Sequence, residues 1–283
     1  MKDIFKSPRT LRVYGICALV LSALCIIFRT VGIMFFFDND IGYFQRGSIV
    51  SILAVLLPAI GVVAALIICA IPNICPPVGE ARNTRAVRLA AVLPAIGFGG
   101  YAVSYIIRLL EYMTIVPSVP VTYWLLLLST VLSAVFFALL AFRKNNGNAL
   151  FVITGVAVVV WMVLSLAEAY FDVYVQMNSP LKIGFQFATL SAVLLTVNEL
   201  RTDLDVKRPR FHLFSATVAT IFLGSASISS IVGSIMDKMP ENYILYYSDC
   251  VLLPLFIFAA VRLICICFSK SVPDAEASDS EQQ

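Results

Sequence analysis

Eight stretches of about twenty or more predominantly apolar residues, near 12–36, 49–71, 88–112, 121–142, 149–172, 181–200, 211–236 and 245–268, leave this chain few ways to fold. A helix rising about 1.5 Å per residue needs roughly 20 residues to cross some 30 Å of hydrocarbon. Backbone amides in lipid must be satisfied internally, which restricts a spanning segment to a helix or a closed barrel. A barrel would show short strands of alternating polarity, whereas these runs are continuous. Composition agrees: 60% of the 283 residues are apolar, 13% are charged and mean hydropathy is +0.93, against roughly half apolar and a quarter charged in soluble domains. The chain reads as an all-α polytopic membrane bundle of about eight transmembrane helices. Residues 1–270 form one helical domain, and 271–283, with four acids and no apolar cluster, a disordered acidic cytoplasmic tail.

Lysine and arginine orient the bundle. One face receives Lys2, Lys6, Arg9, Arg12, Arg82, Arg85, Arg88, Arg143, Lys144, Arg201, Lys207, Arg208, Arg210 and Lys270; the other has only Arg46, Lys182 and Lys238. A bias of fourteen to three over short loops assigns the first face, and with it both termini, to the cytoplasm. The first span follows a basic start, but it is too long for a signal peptide, contains Arg29 and lacks a small-residue cleavage site. It reads as a retained anchor.

Ionisable residues within or at the edges of the spans gather toward the outer face: Arg29, Arg108, Glu111, Glu168 and Asp172. Charge at mid-span costs roughly 2.5 to 3.5 kcal/mol on insertion scales, so such residues are paired, snorkelled or functional. Ten of the eleven tyrosines lie on or near the same side. In the third span Tyr101, Tyr105, Arg108 and Tyr112 recur at four, three and four residues, and in the fifth Trp161, Ser165, Glu168 and Asp172 do likewise, so each set shares one helical face. Two readings stand. In one, the arginines snorkel outward and pair locally, as Arg108 with Glu111. In the other, Arg29, Tyr101, Tyr105, Arg108, Glu111, Glu168 and Asp172 line an outward-facing polar pocket, with Glu168 paired to Arg29 or Arg108. A carboxylate snorkels poorly, which favours the second.

Prolines 58, 94 and 254 fall inside the second, third and eighth spans and predict helix kinks at Pro58, Pro94 and Pro254. The motif Leu-Pro-Ala-Ile-Gly occurs at 57–61 and again at 93–97. Small residues beside such kinks suit close helix packing before a substrate-binding break. The seventh span carries Gly224, Ser225, Ser227, Ser229, Ser230, Gly233 and Ser234, which packing explains more simply than a hydroxyl-lined path. Arg262 reads as a residue snorkelling to the cytoplasm, and His212 as a headgroup-level side chain. Ser179 and Pro180 form a helix start, and the Asp38 to Gly47 loop a surface turn.

Other chemistries lack their residues. A single histidine excludes bis-histidine haem, seven cysteines include no Cys-x-x-Cys pair, and no Walker A sequence occurs. No cofactor is expected, no nucleophile and base stand together, and no loop is basic enough for nucleic acid. The outer Gly42-Tyr43-Phe44-Gln45-Arg46-Gly47 turn and the Met177-Asn178-Ser179-Pro180 helix start, set in eight spans, resemble uncharacterised multi-pass membrane proteins of clostridial-type bacteria. The resemblance implies a bacterial cell membrane and brings no established activity. The expected partners are the lipid bilayer, a small-molecule solute and other membrane subunits. The expected function is a non-enzymatic, solute-recognising transporter or permease-like subunit, with a non-transporting sensor or assembly partner as the alternative.

Overall fold

A computed structural model describes residues 8–38, 41–71, 84–115, 118–142, 149–171, 176, 178–204, 208–236, 238 and 249–268. The acidic tail, Asp172, Met177, Tyr174 and the tyrosines at 243, 246 and 247 lie outside the described residues. Eight helices long and apolar enough to cross a membrane make up the described chain. They are α1 (Pro8–Phe36), α2 (Ile49–Ala70), α3 (Arg85–Ile115), α4 (Val121–Phe142), α5 (Ala149–Phe171), α6 (Pro180–Asp203), α7 (Pro209–Ile235) and α8 (Asp249–Phe268). Between α1 and α2, on the face that the charge bias predicts to be the outer one, β1 (Phe37–Asp38) and β2 (Tyr43–Phe44) form a short antiparallel hairpin. Gly42 supplies its left-handed residue at φ +74°.

Local sequence explains the helix starts. Ser48 caps α2 by accepting from the Ser51 amide at 3.4 Å. Ser179 does the same for α6 through Leu181, with Pro180 in the first turn where a missing donor costs nothing. The chain remains helical through Pro58, Pro94 and Pro254. On α2, Pro58 shares its buried face with Ala54, Gly61 and Ala65, and this small-residue stripe lets the helix backbone close on its neighbours. A Cβ added at Gly61 would stand 2.7 Å from Ile221 of α7 and 3.1 Å from Leu21 of α1.

Packing from α3 through α8 runs neighbour to neighbour, and α8 returns to α3, closing a ring of six helices. Helices α1 and α2 lean against α7, and α1 also touches α8. The most thoroughly buried span is therefore α7. Aromatic rings fill the middle of the ring: Phe98 stacks on Phe137 at 5.7 Å and meets Trp161 edge-on at 4.9 Å, and Phe137 meets Phe258 at 5.6 Å. Side chains from α3, α4, α5 and α8 thus plug the centre of the bundle. Outward-facing positions are apolar, among them Leu56, Ile60, Ile67, Val103, Ile107, Val156 and Val163, as lipid contact requires.

Candidate functional site

Polar side chains collect at two levels, one toward the outer face and one at the inner end. The outer set is built on the stripes of α3 and α5. Tyr101 and Tyr105 are both buried, their rings stacked 5.9 Å apart, and Tyr101 meets Trp161 edge-on at 5.6 Å. The ladder continues outward from Tyr105 to Tyr123 of α4 at 6.3 Å, and from Tyr123 to Tyr112 at 5.4 Å. Arg108 and Glu168 both fall within electrostatic range of the Tyr101 and Tyr105 hydroxyls. A cleft of about 290 Å³ opens here, lined by Tyr105, Thr122, Tyr123, Leu126, Leu164, Ala167, Glu168 and Phe171.

Two donors deeper on α5, outside the lining of the cleft, are buried without a hydrogen-bond partner among the described residues: Trp161 Nε1 and Ser165 Oγ. They share the face of α5 that carries Glu168, and the step from Trp161 to Glu168 rises about 10 Å. Leaving such a group unpaired costs about 1–3 kcal/mol. The other buried orphans are Thr30, Ser51 and Ser234, near the outer ends of α1, α2 and α7.

The remaining residues expected at this pocket are placed differently. Arg29 is buried in the seam of α1, α6 and α7, where Nε donates to Ser229 Oγ at 3.2 Å and Nη2 to the Pro180 carbonyl at 2.8 Å. Its guanidinium lies close against Gly184, so that a Cβ there would overlap it. Arg29 therefore does not reach for the headgroups. Glu111 is exposed near the outer end of α3, and Asp172 lies outside the described residues. Lys182, counted from the sequence among outer loop charges, is 1% exposed in the first turns of α6.

The inner set was not foreseen. Glu199 of α6, His212 of α7 and Arg262 of α8 form one buried cluster. Arg262 Nε donates to Glu199 Oε1 at 2.6 Å, Nη2 bonds Oε2, and His212 Nε2 lies 2.9 Å from Oε1. The expectation that Arg262 snorkels is corrected: at 1% exposure it is held inside by a bidentate carboxylate, with the Phe258 ring 6.0 Å away. His212 is likewise inside the protein. Arg262 stands six residues, about 9 Å, from the end of α8, and Glu199 sits within the sixth apolar run. Opposite charges at matching depth in two spans were the available signal.

Most hydroxyls of α7 serve its own backbone, Ser234 excepted. Thr217, Thr220 and Ser227 donate to the carbonyls of Leu213, Ala216 and Leu223 at 2.6 to 2.8 Å. Besides the Arg29 bond to Ser229, Tyr14 meets the Thr217 hydroxyl at 2.8 Å and Ser22 donates to the Thr220 carbonyl at 3.1 Å, tying α1 alongside. This is the chemistry of close packing, as the small residues of the span predict.

Fold and composition together define a multi-pass α-helical integral membrane protein. No family model, curated protein or solved structure matches the chain.

Proposed function

We propose that this chain is a permease-like membrane protein, not an enzyme, that recognises a small polar solute in the cleft between α3, α4 and α5. The observation that carries the reading is the pair of orphan donors, Trp161 Nε1 and Ser165 Oγ, buried beneath Glu168 and the stacked tyrosines. A bound solute or its water would supply the missing acceptors. Glu168 lines the cleft and Arg108 acts electrostatically on the tyrosines beside it, and a volume of about 290 Å³ is at the small end of ligand sites. The chemistry suits an amino-acid-sized dipolar solute.

The layering supports transport over simple binding. An open, largely apolar cleft carrying Glu168, Thr122 and two tyrosines above, an aromatic plug in the middle and a three-helix ion cluster below are the parts of a carrier closed on its inner side. The fourteen-to-three charge bias supports placing the cleft outside a bacterial cell. A non-transporting sensor or assembly partner is the second reading, favoured by the α7 hydroxyls being engaged with their own backbone.

Purified protein in proteoliposomes, assayed for uptake and thermal shift with amino acids, sugars and small organic ions, tests the proposal. One solute class should stabilise and enter wild type, with the response lost in Glu168→Gln and reduced in Trp161→Phe. A solute response identical in wild type and both variants, or no response to any class, overturns it.

A further inference from the structure

A second cavity, about 590 Å³, opens at the basic face between the end of α2 and the start of α7. Its wall is apolar, formed by Leu66, Cys69 and Ala70 from α2 and by Phe211 and Phe214 from α7, while Arg208 and Arg210 stand at its rim. The depth of these groups matters. Ala70 closes α2 and Pro209 opens α7, so the arginines lie at headgroup level and the apolar wall descends from them into the hydrocarbon band. Leu66 and Phe211 are both exposed, facing where acyl chains run. Arg208 makes no side-chain cap on α7, whose positive end starts at Pro209, between the two arginines in sequence.

We infer that this groove is a binding site for one anionic phospholipid, its phosphate held by Arg208 and Arg210 and an acyl chain laid along Leu66, Phe211 and Phe214. Guanidinium groups suit the recognition: they bind phosphate oxygens through a planar fork of donors and remain charged at the interface. The apolar wall explains why the ligand is a lipid and not free phosphate. A headgroup anion alone would leave the greater part of the cavity lining unoccupied. A zwitterionic lipid would bring a cation against the same arginines. The site is remote from the outer cleft and does not depend on what the cleft binds.

Native mass spectrometry of the full-length protein, delipidated in detergent and titrated with phosphatidylglycerol or phosphatidylcholine, tests the site. Wild type should retain one phosphatidylglycerol in preference to phosphatidylcholine. With roughly fivefold in affinity per interfacial arginine, Arg208→Gln with Arg210→Gln should weaken retention about thirtyfold. Ala70→Trp, which fills the groove and leaves both charges, should also abolish it, while Arg46→Gln on the opposite face should change nothing. Equal retention of the two lipids overturns the inference, as does unchanged phosphatidylglycerol binding in both the charge and the groove variants. Displacement of the lipid by millimolar inorganic phosphate would overturn it too, because it would assign the site to a free anion.

Discussion

Arg262→Met is the sharpest test of how the inner end of the bundle is held. Wild-type Arg262 gives Glu199 two charge-assisted bonds, from Nε at 2.6 Å and from Nη2, while His212 adds one at 2.9 Å. Such bonds contribute about 1.5–3 kcal/mol each, so losing two predicts a cost of about 3–6 kcal/mol. The general cost of stranding one partner of a buried pair, about 3–5 kcal/mol, falls in the same range. The paired variant Glu199→Met with Arg262→Met removes both charges together and should recover most of that loss, because apolar replacement of a whole buried pair is often neutral. Arg262→Lys should fall between, since an ammonium cannot span both carboxylate oxygens. Equilibrium unfolding in mixed micelles, run on wild type, Glu199→Met, Arg262→Met and the double variant as a double-mutant cycle with Arg262→Lys alongside, measures the coupling. If Arg262→Met lies within about 1 kcal/mol of wild type, or the double variant is as unstable as the sum of its singles, the cluster is not a dry bidentate pair and the reasoning fails.

Three further outcomes follow from single contacts. Gly184→Ala should displace the Arg29 guanidinium and break its bonds to Pro180 and Ser229, with a loss of about 2–4 kcal/mol; Arg29→Met with Gly184→Ala should be less damaging than the sum of the singles in the same unfolding assay. Gly155→Ala should drive its new Cβ into Leu200 and to 3.0 Å from Phe136, costing about 1–3 kcal/mol by overpacking, and Leu200→Ala should relieve part of it. Trp161→Phe removes an unpaired donor from a fully buried ring and should leave unliganded stability unchanged or slightly raised while weakening the solute response; a loss above about 2 kcal/mol in the unliganded protein would mean that the indole N–H already has a partner.

The spans were legible because hydrocarbon imposes length and composition on each segment independently. Val121–Phe142 coincides with the apolar run, and Ala149–Phe171 differs by one residue. Where ends differ, the helix continues past the hydrocarbon into basic residues, as α3 does by starting at Arg85. The Ser179-Pro180 start was readable for the same reason, being local. The faces of α3 and α5 were also readable, since Tyr101 and Tyr105, or Trp161 and Ser165, share a face by helix geometry alone. Glu199, His212 and Arg262 were not. Arg262 and His212 lie near span ends, where a depth rule applied to one residue at a time predicts snorkelling for the first and a headgroup-level position for the second, and Glu199 follows from no such rule. That Arg262 turns inward is decided by a carboxylate on another helix, 63 residues away, and no local pattern encodes that approach.

The type of polar side chain, more than its number, separates packing from recognition in this bundle. Serine and threonine in a helix can return a hydrogen bond to the carbonyl three or four residues back, as Thr130, Ser133, Thr154, Thr189, Thr217 and Ser227 do. A hydroxyl-rich helix such as α7 therefore needs no ligand to be stable. An indole N–H cannot reach its own backbone, and a carboxylate can only accept. Trp161 and Glu168 must find partners outside their helix. Ser165 could have bonded its own carbonyl and does not. Among the described residues the five orphan groups lie at or beyond the midpoint toward the expected outer face, whereas the inner carboxylate, imidazole and guanidinium satisfy one another. The unmet demand for hydrogen bonds is thus directional, and it points to the side on which the cleft opens.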